Sequence, residues 1–189
     1  MDSAKLQTAS DSTATSPATK PLIIISSRTG NTLTVGHAIC DGLPGCVMMR
    51  PSELPEDLSG YNPVLLGFWN DNHDAPQEMK AVAGRLRHKD IGCFATMGGN
   101  PETEAAREWM AKTSEALVNA GEDNRLVRTF LCQGRIDPAM FDQMTALLGG
   151  KLSDETLAKA HQKKSETHPD RLDLSKAVEL FRGAFGSNW

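Results

Sequence analysis

The chain has 189 residues, of which 39% are hydrophobic and 23% charged, and its net charge is −4. This length and composition are typical of one globular domain with a complete core. The basic residues are scattered rather than gathered in a stripe, which argues against nucleic acid as a partner. No apolar run approaches the roughly 20 residues that a membrane-spanning helix needs, so we expect no membrane partner either.

Residues 1–20 have the composition of a disordered tail. They are rich in Ser, Thr, Ala and Asp, which cannot bury enough apolar surface to order a chain. They show neither the charged and apolar regions of a signal peptide nor the Arg-rich face of a transit peptide. We therefore expect a cytoplasmic protein whose residues 21–189 form one domain.

The cysteines and histidines lack the spacing of metal ligands. No C-x-x-C pair occurs among Cys40, Cys46, Cys93 and Cys132, which lie in apolar segments as reduced core thiols do. The five histidines form no H-E-x-x-H or similar pattern. The sequence therefore predicts no metal site.

Strand-like and helix-like segments alternate after the tail. The predicted strands are 22–26, 46–49, 63–69, 91–97 and 125–132. The predicted helices are 32–41, one capped by Asp74, one capped by Asn100, one from Asp137 to Gly149, an exposed one over 153–164 and one starting at Asp170. The helix after Asp74 is predicted to bury Met79, Val82, Ala83 and Leu86. The helix after Asn100 is predicted to bury Ala106, Trp109, Met110, Thr113 and Leu117. The helix starting at Asp170 is predicted to bury Leu174, Ala177, Val178, Phe181 and Phe185.

This alternation indicates a parallel sheet with helices on both faces. Five units in about 150 residues favour a doubly wound sheet, because an eight-stranded barrel needs roughly 250 residues. The expected fold class is α/β with five parallel strands.

A polar loop, Ser26–Thr32, joins the first strand to the first helix. It lies at the carboxyl end of a strand, where ligands bind in doubly wound sheets, and its backbone N–H groups lead into a helix N-terminus, which favours anions. It lacks the glycine and lysine pattern of a P-loop and the three glycines of a dinucleotide site. A single terminal phosphate fits it better, and the alternative is a turn that holds no ligand.

Ser27-Arg28-Thr29-Gly30-Asn31-Thr32 resembles the [ST]-x-T-G-x-T loop of the flavodoxin family, which binds the 5′-phosphate of FMN. The resemblance covers the pattern of elements from about residue 21 to the end. It implies FMN as cofactor, the strand order 2-1-3-4-5, and a flavodoxin-like domain with a helical C-terminal extension. The residues that it implicates in this first loop are Ser26, Ser27, Arg28, Thr29, Gly30, Asn31 and Thr32.

In that family the flavin ring lies between the loops that follow the third and fourth strands. The resemblance therefore implicates Phe68, Trp69, Asn70, Asp71 and Asn72 in the second loop, and Met97, Gly98, Gly99 and Asn100 in the third. Trp69-Asn70-Asp71 is similar to the Trp-Gly-Asp of some flavodoxins, and an aromatic ring here can stack on a flavin. The alternative for Trp69 is an ordinary core aromatic at a strand end.

The third loop departs from the family pattern. Many flavodoxins place a Tyr here over the outer face of the flavin, whereas the only Tyr of this chain is Tyr61. The departure predicts that this face is covered by Met97 or by glycine backbone, or is open to solvent, a substrate or a partner.

A weaker resemblance concerns the C-terminal part of the chain. Residues 130–138 (FLCQGRIDP) and His168-Pro169 resemble a bacterial subgroup of flavodoxin-like proteins, some of which are thought to serve bilirubin reductase.

The resemblance implies a small FMN protein that carries electrons one at a time between larger redox partners, such as a reductase or ferredoxin-type donor and an acceptor enzyme. No catalytic acid or base is expected, and negative charge near the ring is expected to lower the potential of the fully reduced flavin. One alternative is an FMN-dependent NAD(P)H:quinone-type reductase. Another is a flavodoxin-fold interaction module without flavin.

Overall fold

A five-stranded parallel sheet forms the centre of the molecule. The computed structural model describes residues 19–139, 141–142 and 155–186. The strands are β1 (Lys20–Ile25), β2 (Val47–Met49), β3 (Tyr61–Trp69), β4 (Asp90–Met97) and β5 (Arg125–Gln133). Their order is β2-β1-β3-β4-β5 and neighbouring strands are parallel, which confirms the predicted doubly wound sheet.

Helices cover both faces of the sheet. They are α1 (Asn31–Gly42), α2 (Gln77–Ala83), α3 (Glu104–Asn119), α4 (Glu155–Ser165) and α5 (Arg171–Phe185). None of the described helices is long and apolar enough to span a bilayer. The helix predicted from Asp137 is seen at residues 138, 139, 141 and 142, and its predicted end lies outside the described residues.

Two residues of the predicted tail are described: Thr19, whose hydroxyl donates to Asn62 O at 2.9 Å, and Lys20, which belongs to β1. The rest of the tail prediction falls on residues 1–18, which lie outside the described residues. The division of the chain into a tail and one domain stays a prediction.

The core lies in two layers, one on each face of the sheet. Successive residues of a strand point to opposite faces, so β1 sends Leu22 and Ile24 into one cluster and Ile23 and Ile25 into the other. The first cluster packs against α2 and α3, and the second against α1 and α5. All the positions predicted to be buried after Asp74 and Asn100 are buried, and so are Ala177, Phe181 and Phe185 of α5, while Leu174 and Val178 are half-buried. The amphipathic patterns in the sequence therefore identified the faces that the helices bury.

Two predicted helix caps are wrong. The N-cap of α2 is Pro76, whereas Asp74 accepts a hydrogen bond from the Ala75 N–H and pairs with Lys80. The N-cap of α3 is Thr103, whose hydroxyl accepts from the Ala106 N–H at 3.2 Å. Asn100 instead accepts from the Glu102 N–H at 2.9 Å, in a turn before the helix. Asp and Asn form such local turns as readily as caps, which explains both errors.

Candidate functional site

Three loops meet at the carboxyl edge of the sheet. The chain leaves β1 toward β2 on one side and returns to β3 on the other, which makes a crevice at the ends of β1 and β3. Hydrogen bonds join the strand ends there: Ser26 N–H to Gly67 O (2.9 Å) and Asn70 N–H to Thr96 O (3.3 Å). The structure therefore brings together the three loops that were singled out in the sequence.

The first loop presents a row of free backbone donors. Gly30 is the N-cap of α1 with φ of 88°, a left-handed conformation that favours glycine. Within the described part of the chain, the backbone N–H groups of residues 27–32 have no hydrogen-bond acceptor. Six such donors at a helix N-terminus fit a phosphate group well.

The side chains of this loop divide into two roles. Two hydroxyls fix the loop to its surroundings: Thr32 is buried and shares a hydrogen bond of 2.8 Å with Thr96, and Ser26 donates to the carboxylate of Glu78. Ser27 Oγ accepts from the Leu33 N–H at 3.3 Å, and Thr29 Oγ1 accepts from the Asn31 amide at 3.1 Å. Because Ser27 and Thr29 only accept in these contacts, each keeps a hydroxyl hydrogen that can be donated to an anion.

Asn31 ties the first loop to the segment after β5. Its Nδ2 donates to Arg135 O at 2.9 Å. A Cβ at Gly134 would lie 2.6 Å from the same nitrogen, so the glycine is needed for this approach. The side chain of Asn31 thus acts in positioning the loop.

A cavity of about 390 Å³ opens beside the first loop. Its wall includes Ser27, Arg28 and Gly30 of the loop together with Arg50 and Glu78, which the sequence analysis missed. Arg28 and Arg50 form no ion pair with any described residue, so two cations without an ion-pair partner line the cavity together with the Glu78 carboxylate. Arg50 directly follows β2, and the rule that ligands bind at the carboxyl ends of strands could have found it. No sequence signal points to Glu78.

The second loop begins with an aromatic ring that Arg28 covers. Trp69 is half-buried, and the guanidinium carbon of Arg28 lies 5.5 Å from its ring centroid, a cation–π contact. Asp71 and Asp74 then exchange two backbone hydrogen bonds across a tight turn. Asn72 and His73 form that turn with φ of 50° and 67°. Asn70 supports it by accepting from the His73 N–H at 2.9 Å.

The side chain of Phe68 lies outside the site. It is fully buried and makes an edge contact with Trp109, with ring centroids 6.1 Å apart. Because neighbouring residues of a strand face opposite sides of the sheet, Phe68 and Trp69 cannot both face the same ligand. The prediction of Phe68 as a cofactor-binding residue is therefore corrected: only its main chain is available to the site.

The third loop is held from the side of β5. Gly98 O accepts hydrogen bonds from Gln133 Nε2 at 3.3 Å and from His161 Nε2 at 3.0 Å. A Cβ at Gly98 would lie 3.1 Å from the Ile136 side chain. The contacts of these three neighbours with the third loop were missed because the residues are at least 35 positions away in sequence. Met97 is half-buried at the start of the loop, and Asn100 forms the turn that precedes α3.

The four cysteines are free thiols, as expected. Burial raises the pKa of Cys93 to about 12 and raises the pKa of Cys132 further. One group with metal-binding chemistry, His168, Asp170 and Asp173, occurs in the described part, where the two carboxylates cap α5. The prediction of no metal stays a prediction.

The sheet is doubly wound, its first loop offers backbone N–H donors to a phosphate, and two further loops lie beside the crevice. This is the architecture of a flavin mononucleotide protein. The chain belongs to the flavodoxin-domain family, whose model matches residues 22–182. This membership confirms the resemblance seen in the first loop, and FMN is the cofactor of the chain.

The chain is also similar to individual proteins. The flavodoxin-like domain-containing protein BilS of Clostridioides difficile (strain CD3) is 26% identical over 164 residues, which are 84% of this chain and 92% of that protein. Among solved structures, the Trp repressor binding protein from Bacillus subtilis is similar with a TM-score of 0.54 at 11% identity, over 86% of this chain and 96% of that one. A flavoprotein in complex with FMN from Lactobacillus acidophilus has a TM-score of 0.48 at 14% identity, over 68% and 99% of the two chains.

Proposed function

We propose that this protein binds FMN across the three loops and transfers electrons one at a time between redox partner proteins. The observation that carries the proposal is the first loop: among the described residues, its six backbone N–H donors have no acceptor, and the nearby Arg28 and Arg50 form no ion pair. Bound FMN supplies the electron-accepting chemistry. The chain orients it and sets its electrostatic surroundings.

Each loop has one task in this proposal. The backbone of residues 27–32 holds the phosphate, and Arg28 and Arg50 offset its charge. Trp69 presents an aromatic surface to the ring, and Gly98 and Gly99 approach it from the other side with backbone alone. The partners would be a reductase or ferredoxin-type donor and an acceptor enzyme. The free cysteines are in keeping with a cytoplasmic location, which we also propose.

A second candidate is an FMN-dependent reductase that uses NAD(P)H and a quinone-type acceptor. The observation that favours it is the third loop, whose Gly98 is exposed and carries no side chain that could cover the ring. A small acceptor would then reach the flavin from that side.

An anaerobic reductive titration of the full chain with FMN, followed by visible absorption, tests the proposal. For a one-electron carrier we expect a long-lived species with broad absorption at long wavelength between the oxidised and fully reduced forms. Direct conversion to fully reduced flavin would contradict it, and rapid reduction by NADPH alone would favour the reductase. If the chain takes up no FMN, both flavin functions fail and the interaction module becomes the explanation.

A further inference from the structure

The carbonyl group of Gly98 receives two side-chain donors from the side of β5. Gln133 is buried at the end of β5, where it pairs with Met97, and its Nε2 donates to Gly98 O at 3.3 Å. His161 Nε2 lies 3.0 Å from the same oxygen. A carbonyl oxygen can only accept, so in this contact His161 Nε2 is the donor, and Gln133 Nε2 lies 3.5 Å from the same ring nitrogen. The orientation of the Gly98-Gly99 peptide is therefore fixed by side chains that are distant in sequence.

Fixing this carbonyl also fixes the next N–H group. A trans peptide is planar, with its C=O and N–H pointing in opposite directions. β4 lies between β5 and β3, so a Gly98 carbonyl turned toward β5 leaves the Gly99 N–H turned toward β3 and the second loop. Within the described residues this N–H has no acceptor. It is a free donor that faces the space between the second and third loops.

The helix that carries His161 is anchored independently. Ser165 at the end of α4 is fully buried, accepts from the Ile136 N–H at 3.1 Å and donates to Gln162 O at 2.6 Å. Ile136 in turn packs against Gly98. The imidazole is thus held on a docked element rather than on a free surface.

We propose that His161 is a positioning residue for the flavin: by holding the Gly98 carbonyl, it aims the free Gly99 N–H at the ring between the second and third loops. The proposal rests on the proposed FMN site. It gives the C-terminal helix α4 a part in cofactor binding. It also supplies a backbone donor where a Tyr side chain is missing.

The test compares FMN affinity, measured by quenching of flavin fluorescence, in the full chain and three variants. His161→Ala removes the donor, and we expect FMN to bind about tenfold more weakly, as for the loss of one well-placed hydrogen bond. His161→Gln retains an amide donor and is expected to bind within about threefold of the unchanged chain. His37→Ala, an exposed position on α1, is the matched control and should have no effect.

Two further measurements separate this role from a structural one. We expect the visible spectrum of bound FMN to shift in His161→Ala and to return in His161→Gln, because the donor to the ring is restored. The Gly99 amide resonance of the unchanged chain should move on addition of FMN and should already be displaced in flavin-free His161→Ala.

Wild-type affinity in His161→Ala, or equal losses in both His161 variants, would overturn the proposal while leaving FMN binding intact. Failure of the unchanged chain to bind FMN would instead overturn the proposed function.

Discussion

Gly30 adopts a conformation that other residues avoid, at the point where the first loop becomes a helix. Its φ is 88°, and nothing lies within 4 Å of the place where a Cβ would sit. Gly30→Ala should therefore lower the free energy of unfolding by about 1–2 kcal/mol, and backbone strain is the sole reason. Urea denaturation should show this loss, and FMN should bind more weakly because the N–H donors move.

Gly60→Ala is the control for that substitution. Gly60 also has open space around it but does not have a positive φ. Equal losses of stability in the two variants would show that the backbone of Gly30 is not strained by a side chain.

Arg28 and Arg50 place positive charge beside the first loop, whereas the negative charge expected from the sequence concerns the surroundings of the flavin ring. Both arginines lie in the wall of the cavity beside the first loop, and Arg28 also covers Trp69. If they offset the phosphate, Arg28→Gln and Arg50→Gln should each weaken FMN binding about tenfold and leave riboflavin, which has no phosphate, nearly unaffected.

Arg128→Gln is a matched control, since Arg128 is an exposed arginine of β5 whose side chain, among the described residues, bonds only the carbonyl of Val127. Equal weakening of FMN and riboflavin binding by the Arg28 and Arg50 substitutions would assign these arginines to the ring rather than to the phosphate.

At the scale of elements, the start of α5 is closed by a reciprocal pair of capping carboxylates. Asp170 accepts from the Leu172 and Asp173 N–H groups, while Asp173 accepts from the Asp170 N–H. Hydrogen bonding to the backbone N–H of Asp173 lowers the pKa of Asp170 below the ordinary value of 3.8. The stabilisation of the folded chain by the ionised Asp170 carboxylate is therefore fully present above about pH 4 and is lost as the pH falls through the lowered pKa.

Asp170→Ala should cost about 1 kcal/mol of the free energy of unfolding at pH 7, as the loss of an N-cap typically does. Asp170→Asn keeps a capping oxygen, so it should be close to the unchanged chain at pH 7 but lose less stability between pH 4 and pH 2. Thermal unfolding across this pH range measures both effects. If Asp170→Asn loses as much stability between pH 4 and pH 2 as the unchanged chain, the carboxylate charge of Asp170 does not contribute to the stability of the fold.

The elements were predictable because each is encoded by a local pattern. The five strands agree with their predicted ranges within two residues, and the buried positions of α3 follow from a spacing of three and four. The caps at Asp74 and Asn100 were not predictable in this way, because the same side chains also stabilise turns.

The site was predictable only in its backbone. A recognised loop motif located Gly30, and the position of Arg50 directly after β2 could have indicated the cavity, but nothing local could show that Phe68 turns into the core. The contact of His161 with Gly98 joins residues 63 positions apart. Contacts of that kind depend on the finished fold and leave no pattern in a single sequence.

At the scale of the whole molecule, cofactor binding should stabilise the fold. A ligand that binds only the folded chain adds stability by mass action, about 2.7 kcal/mol at a concentration of 100 times its Kd. We expect FMN to raise the thermal midpoint of unfolding, and riboflavin to raise it less at equal concentration because the first loop then holds nothing. Equal shifts with FMN and riboflavin would contradict a phosphate site at residues 27–32.

The contacts that close the site also determine when it can form. Asn31 meets Arg135 across 104 residues of chain, and the loop after β4 is fixed by a helix that begins at Glu155. Closing such long loops costs conformational entropy that only a nearly complete structure repays, so pairings of this kind form late in folding. FMN should therefore bind to a sheet that is already assembled, and the chain should not need FMN in order to collapse. We therefore expect refolding rates that do not depend on FMN concentration, and FMN binding in a separate, later kinetic phase.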